Sequence, residues 1–423
     1  MILLYRVLTF LLYPFLVLLI LIRKNYKKEH ITRYKEKIFS SHFNVKRKIH
    51  SKLIWFHAAS IGEFKSIIPI IENLEINNNK LEFLITTVTL TSGNLAKNEF
   101  ANKQNIHHRY FPLDIKFLMQ NFLNNWRPSI IFLVDSEIWP NLIYEAKKNK
   151  IPISLLNARI TKKTYQRWNF FKKTAEKIFK SFDLCLTANL ETKNYLINLK
   201  ASNVYFEGNI KLIQKSASNK VINTYEKELK NKKIWTAIST HEGEEIFCLK
   251  SHLILKSKIE EILTIIAPRH IHRANEVRKL CDNLNLSSQI LNENDEIMTG
   301  KEIIIINSYG KLPNFLKYSK SAFVGKSTIK GLSGEGGQNP MEAAKLGCRV
   351  YHGDYIYNFR DIYKILEENN ISKKVKNHTE LAKNLENDFI NTNQEFNKFK
   401  IFINDLENKI LNNTMEIIRK FIL

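Results

Sequence analysis

The 423-residue sequence predicts an α/β protein made of two parallel-sheet domains, and three observations predict it. Short apolar runs alternate with amphipathic stretches, which is the rhythm of βαβ units. A polar stretch from Leu212 to Asn223, rich in Lys, Ser and Asn, interrupts that rhythm before it restarts. Residues able to do chemistry recur just after the apolar runs, at the strand ends where open parallel sheets bind ligands.

The chain begins with an almost unbroken apolar stretch, Ile2 to Ile22, interrupted by Arg6 and Pro14. At about 1.5 Å per helical residue it just reaches across a hydrocarbon core of about 30 Å, so it is expected to span a bilayer or to lie in its interface. Residues Arg23 to Lys52 hold eleven Lys or Arg against Glu29 and Glu36. By the positive-inside rule this flank keeps everything downstream in the cytoplasm, and it can also hold anionic lipid headgroups. No small-residue cleavage site follows the apolar run, so an uncleaved membrane anchor is expected rather than a signal peptide.

In the first domain the runs Leu53 to Phe56, Phe83 to Val88, Ile130 to Val134, Ile151 to Leu156, Leu184 to Thr187 and Val204 to Phe206 read as buried strands. Phe64 to Leu74, Ile115 to Trp126 and Pro140 to Lys148 read as helices between them. In the second, Ile234 to Ile238, Ile262 to Ala267, Ile303 to Ile306, Ala322 to Val324 and Arg349 to Tyr351 are the strands, with helical patterns from Thr379 onward. The expected organisation is an anchor and basic flank over 1–30, a first Rossmann-like domain over 31–212, a second over 213–395 and a C-terminal helix over 396–423 that packs across the lobes. A crevice between two such domains, at the carboxyl ends of both sheets, is the expected active site.

Hydrophobic residues make up 44% of the chain and charged ones 25%, ordinary for a globular protein. The net charge of +24 accompanies a general excess of Lys, Asn and Ile, and no nucleic-acid reader motif goes with it. Cys185, Cys248, Cys281 and Cys348 are scattered, without the paired spacing of a zinc or redox site. No Asp-x-Asp pair offers a carboxylate clamp for a divalent ion, so metal-free chemistry without a cofactor is expected.

Several strand ends carry candidate groups. Leu53 to Phe56 runs into a small-residue turn that delivers Glu63 to a helix N-terminus, either as a catalytic base or merely as a first-turn acid that suits the helix dipole. Ile130 to Val134 feeds Asp135-Ser-Glu-Ile-Trp-Pro-Asn141, placing Glu137 at the carboxyl end with Pro140 opening a helix. Lys211 follows the last strand of that domain, where it can neutralise negative charge. Pro268-Arg269-His270 leaves its strand where Arg269 can fork onto a phosphate, and Ser239-Thr240-His241-Glu242 supplies hydroxyl donors at the neighbouring rim. Gly331, Gly334, Gly336 and Gly337 crowd ahead of Asn339-Pro340-Met341-Glu342, read as a helix opened by Asn339 with Pro340 at its first position. Backbone amides there can approach a phosphate, and Glu342 can accept from ribose hydroxyls.

Taken in order, His57 to Glu63, Thr86 to Gly93, Ser136 to Asn141, Gly208 to Lys211, Ser239 to Glu242, Pro268 to His270 and Gly336 to Glu342 resemble the motifs of the Kdo transferases, which move 3-deoxy-D-manno-octulosonic acid (Kdo) onto lipid A precursors. The resemblance spans nearly the whole chain. It implies a GT-B glycosyltransferase, two Rossmann-like domains facing across a cleft, inverting and metal-independent, that takes Kdo from CMP-Kdo to lipid IVA at the cytoplasmic face of the bacterial inner membrane. Glu63 falls on the family's general base, and Glu137 and Lys211 on positions credited with transition-state stabilisation. CMP binding carries over to Pro268, Arg269, Tyr309, Gly310, Lys311, Asn339, Pro340, Met341 and Glu342. The chain departs from the family at Tyr309-Gly310-Lys311, where Met-Gly-Glu is usual, and at Gln338, where His is usual. The alternatives are a membrane-associated GT-B enzyme using a UDP-sugar, or a relative that has lost catalysis.

Overall fold

The structure is a computed structural model that describes residues 2–43, 51–77, 80–214, 225–332, 336–390 and 393–422. Lys46, Arg47 and Lys48 of the basic flank, residues 215–223 of the polar break and Gly334 lie outside the described residues. The chain divides into two units, one formed by Met1–Lys215 with Glu407–Leu423, the other by Ser216–Leu406.

The first unit opens with helix α1 (Ile2–Asn25) and contains a seven-stranded sheet. Its strands are β1 (Lys52–His57), β2 (Leu81–Thr87), β3 (Ile106–Tyr110), β4 (Ile130–Val134), β5 (Ile153–Ala158), β6 (Leu184–Thr187) and β7 (Val204–Tyr205). They run parallel in the order β3-β2-β1-β4-β5-β6-β7. Central strands of such a sheet are covered on both faces, which is why Leu53 to Phe56 and Ile130 to Val134 are continuous apolar runs and are wholly buried. Trp55 and Phe122 meet with ring centroids 4.9 Å apart in the core on one face, each large side chain contributing about 1.5–3 kcal/mol by burial.

Helix α2 runs Ile61–Asn77, three residues earlier than the apolar periodicity places it, because Ser60 caps it. Helix α3 (Leu90–Glu99) is capped by Thr89, whose hydroxyl accepts from Ser92 N–H at 3.2 Å. Helices α4 (Lys116–Trp126) and α5 (Pro140–Lys148) follow the expected bounds closely, and Pro140 opens α5.

The second unit repeats the plan with β8 (Lys233–Thr240), β9 (Ile262–Pro268), β10 (Ser288–Leu291), β11 (Ile303–Ile306), β12 (Ser319–Val324), β13 (Arg349–His352) and β14 (Ser372–Lys374). The parallel order is β10-β11-β9-β8-β12-β13-β14. Helices His378–Ile390 and Asn393–Ile422 close the chain, and the last one is shared, its residues clustering with the second unit up to Leu406 and with the first from Glu407.

The predicted α/β class with two parallel sheets and an N-terminal apolar helix holds. Strands β3, β10 and β14 escaped the apolar-run criterion because each lies at a sheet edge and carries polar residues, as in His107, His108 and Arg109 of β3. All four cysteines are free and buried.

Candidate active site

Each sheet has one point where the chain turns from building outward on one side to building outward on the other. In the first sheet it lies between β1 and β4, in the second between β8 and β12. The carboxyl ends of the strands at such a switch point leave a crevice in which open α/β sheets bind ligands.

At the first switch point the loop after β1 presents Glu63. Its carboxylate accepts from the Ala59 N–H and from the Ser60 hydroxyl, both at 2.7 Å, while the Glu63 N–H donates back to Ser60 Oγ at 3.3 Å. This is the reciprocal Ser-x-x-Glu cap of a helix start, so the first-turn reading of Glu63 is observed. More than capping surrounds it, however. Glu63 is buried, and burial first, then the charges of Asp135 and Glu137, push its carboxyl above the usual carboxylate range, against the lowering effect of the Ser60 and Ala59 hydrogen bonds.

The loop after β4 brings the other acids. Glu137 Oε2 accepts from Trp139 Nε1 at 2.8 Å and lies 3.2 Å from His57 Nε2. His57 is fully buried, stacks on Phe111 at 3.9 Å and sits 2.9 Å from the Thr86 hydroxyl, which also receives the Trp55 indole N–H. The Thr86-to-Gly93 segment is therefore a support: Thr86 fixes His57, Thr89 caps α3, and Gly93 packs so closely on Tyr110 that a Cβ would meet the ring.

Asp135 adopts φ +64° at the very end of β4 and bonds Lys211 Nζ at 2.5 Å. Lys211 is thereby brought to the same rim. Its segment is pinned on both sides, since Ile210 N–H donates to Asn157 Oδ1 at 3.0 Å and Gln214 donates to the carbonyl of Gly62 at 2.7 Å. Thus Glu63, Glu137 and Lys211 converge at one strand-end rim, with Asp135 as a fourth member.

At the second switch point a single buried carboxylate organises the loops. Glu244, at the start of the helix Glu244–Lys256, accepts from the backbone N–H groups of His241, Lys326, Ser327 and Thr328 and from the Thr328 hydroxyl, at 2.7–3.0 Å. It joins the loop after β8 to the loop after β12. Lys326 (φ +58°) then accepts from the Gly337 N–H through its carbonyl at 2.6 Å, which fastens the glycine segment to the same loop. Gly336 has to be glycine, since a Cβ would collide with the Tyr355 backbone.

Arg269 follows β9, the neighbour of β8, and is exposed; its N–H donates to the Thr240 carbonyl at 3.0 Å. Pro268 is buried as the last residue of β9. The rings of His241 and His270 lie 6.0 Å apart, and burial first, with the Lys326 and His270 charges, lowers the His241 pKa. The positive charge of this rim thus comes from Arg269 and Lys326. Thr240 departs from expectation: it is buried, so its hydroxyl does not serve the rim, and only half-buried Ser239 remains there.

The helix after the glycine segment runs Met341–Lys345, so Pro340 takes the cap position and not the first helical one. Asn339 still organises this start, its Oδ1 accepting from the Met341 N–H at 3.0 Å. Met341 is buried and Glu342 half-buried. Tyr309, Gly310 (φ +82°) and Lys311 follow β11, two strands from β8, with Tyr309 strongly exposed and Lys311 capping the short helix Leu312–Leu316. Among the described residues no group of three or more His, Cys, Asp or Glu is arranged to hold a metal ion.

These two rims can be set beside known proteins. The family profile described as 3-Deoxy-D-manno-octulosonic-acid transferase (kdotransferase) matches residues 29–214, the part that carries Glu63, Glu137 and Lys211. The Arabidopsis thaliana protein described as "Probable 3-deoxy-D-manno-octulosonic acid transferase, mitochondrial" is 30% identical over 377 residues, 87% of this chain and 83% of the relative. The chain belongs to that family. It is a glycosyltransferase. A second Kdo transferase, from Rickettsia bellii, is 28% identical over 427 residues, 99% of both chains, so the similarity includes the N-terminal helix. Among solved structures, a glycosyltransferase from Rickettsia africae aligns with a TM-score of 0.58 at 14% identity, over 88% of this chain and 98% of that one, in keeping with a GT-B fold.

Within this Kdo transferase family member, Asp135, His57 and Glu244 went unassigned in the sequence. His57 is the last residue of β1 and Asp135 the first after β4, and these strand-end positions are the signal the sequence carries for them. Glu244 lies two residues beyond exposed Glu242, and nothing in the local pattern separates the buried acid from its neighbour.

Proposed function

We propose that the chain transfers Kdo from CMP-Kdo to lipid IVA with inversion and without a metal ion, at the cytoplasmic face of a bacterial inner membrane. One observation carries this reading: a buried carboxylate, Glu63, held at the first switch point with its pKa raised by burial and by two neighbouring acids. A raised pKa makes the ionised form a stronger base. Glu63 takes the proton from a sugar hydroxyl of the acceptor as that oxygen attacks the anomeric carbon of Kdo, and the bond from that carbon to the phosphate oxygen of CMP breaks. The electron pair leaves with CMP. Glu137, oriented by His57 and Trp139, faces the positive charge that develops at the sugar, and Lys211, oriented by Asp135, offsets the negative charge on the departing phosphate.

Pro268, Arg269 and the segment Asn339–Glu342 bind the nucleotide in this reading, with Tyr309, Gly310 and Lys311 contributing from the next strand end. The cationic character of the second rim supports a phosphate-bearing donor. Family membership supports Kdo as the transferred sugar and CMP-Kdo as its carrier.

The test is direct: membranes containing the protein, given CMP-Kdo and lipid IVA with a chelator present, are expected to yield a Kdo-bearing lipid by mass spectrometry. Tighter binding of UDP than of CMP to the purified protein would overturn the donor assignment. A requirement for added divalent metal would overturn the metal-free mechanism.

A further inference from the structure

Helix α1, with 24 residues, is long and apolar enough to cross a membrane. Its contacts argue for a different use. Along its whole length one face is laid against the first unit. Near its start Tyr5 donates to Asp114 at 2.9 Å and Arg6 pairs with the buried Glu145 at 2.5 Å; at its middle Tyr13 donates to the Ile38 carbonyl at 2.5 Å; near its end Ile20 is buried beside Tyr34 and Ile38. Arg6, Tyr13 and Ile20 recur every seven residues, about two helical turns, so they form one stripe, and the polar side chains Tyr5 and Thr9 lie on or beside it.

The opposite stripe is apolar from end to end. Leu4, Leu8, Leu11, Phe15, Leu18 and Ile22 follow the same spacing and are all exposed, Phe15 at 69%. A spanning orientation would drag Asp114, Glu145 and their partners into hydrocarbon or tear them from the helix, leaving Arg6 unpaired in the bilayer. We infer that α1 does not cross the membrane: it stays docked on the first unit and dips its outer face into one leaflet, as an in-plane anchor for a lipid bilayer.

The occupant is a bilayer with anionic headgroups because of the charges at the end of the stripe. Lys27, Lys28 and Lys35 are exposed there, while the only acids of the segment are sequestered, Glu29 between Arg23 and Lys37, and Glu36 with Arg33. Exposed Tyr26 and Ile31 extend the apolar rim among these lysines. The arrangement also touches the chemistry. Asp114, which receives Tyr5, accepts the N–H groups of Asn141 and Leu142 at the start of α5, directly after the loop that carries Glu137 and Trp139. The membrane-facing helix is thus packed on the element that follows part of the candidate site.

This inference rests on the membrane part of the proposed function and not on its sugar chemistry. The native cysteines are buried, so single reporters are readable: Ile2→Cys at the half-buried N-terminal end of α1 and Lys376→Cys at an exposed position in the second unit. With the full chain in bacterial membranes, a membrane-impermeant maleimide is expected to label both in inverted vesicles and neither in intact spheroplasts. Labelling of Ile2→Cys from the periplasmic side, with Lys376→Cys on the other, overturns the in-plane anchor while leaving membrane attachment intact. With purified protein, vesicles containing phosphatidylglycerol are expected to bind it more tightly than pure phosphatidylcholine. The variant Leu11→Ser with Phe15→Ser, both at exposed positions, is expected to weaken that binding by more than about tenfold. Failure of the parent chain to bind either vesicle overturns the inference and the membrane assignment together.

Discussion

The two switch points solve different problems with different materials. At the first, ionisable side chains do the work: Glu63, Asp135, Glu137 and Lys211 are held by side-chain partners such as Ser60, His57 and Trp139. At the second, the rim is mostly backbone, and one buried acid, Glu244, collects four N–H groups so that two loops share a shape. A reaction that moves a proton needs tuned titratable groups, whereas recognition of a nucleotide needs a rigid, close-approaching main chain. Substitutions in the first rim should therefore strike turnover, and those in the second should strike donor affinity and stability.

The sharpest way to break that division is Glu63→Gln. Loss of the base is expected to lower kcat about 10²–10⁴-fold with KM for CMP-Kdo little changed, measured by Kdo transfer to lipid IVA. Stability should move the other way. Because the folded-state pKa of Glu63 is raised, its protonated form is the stabilising one, present below the unfolded value of about 4.3 and lost as pH rises through the folded value. Glutamine keeps the acceptor for Ala59 without the charge, so the variant should melt higher than the parent at about pH 8, with the gap closing toward about pH 4. A variant with full turnover would remove Glu63 from the chemistry and leave it as a helix cap.

Next in size is Lys211→Met, expected to cost up to about 10³-fold in kcat by removing a group aimed at developing negative charge. The same change leaves Asp135 without its cation, which confounds the reading. The double variant Lys211→Met with Asp135→Asn resolves it: if the lysine acts on the phosphate, turnover stays low when the orphaned acid is neutralised. Recovery of turnover in the double variant would assign Lys211 to charge balance alone.

How far such roles can be seen in the sequence differs between the rims for the same physical reason. Glu63, Glu137 and Lys211 are legible as candidates because each lies in the segment that follows an apolar strand, although Glu63 reads equally as a first-turn helix acid. The pairing of Lys211 with Asp135 was hidden, since it joins positions 76 residues apart through the sheet order. At the second rim the glycine cluster signalled close backbone approach, yet which carboxylate would gather the amides depended on burial, and Glu242 and Glu244 look alike until the helix Glu244–Lys256 turns one of them inward. Thr240 misled for a related reason: as the last residue of β8, its hydroxyl is buried in place of the rim. The fold itself was legible wherever strands are central and apolar, and illegible at edges such as β3 and β14, where solvent allows polar residues.

A test confined to the second rim is Glu244→Gln. An amide can accept from some of the backbone donors but presents its own N–H₂ to the others, leaving buried donors unmet at roughly 1–3 kcal/mol. The expected result is a lower Tm and a raised KM for CMP-Kdo, with kcat nearly intact when the donor is saturating. A fall in kcat at saturating donor would erase the distinction between the two rims.

The smallest expected effect sharpens the comparison most, because it changes no contact to substrate. The Asp135 charge helps to raise the Glu63 pKa, after burial and alongside Glu137. Removing that charge in Asp135→Asn should let Glu63 ionise at lower pH, so the acid limb of the kcat/KM profile moves toward lower pH while the rate near neutrality changes by less than about tenfold. Loss of the Lys211 partner acts on the rate at every pH, and only the shift of the limb reports the coupling between the acids. An unmoved limb would mean that Asp135 does not tune Glu63, leaving burial and Glu137 to set it, so that Asp135 serves only to hold Lys211.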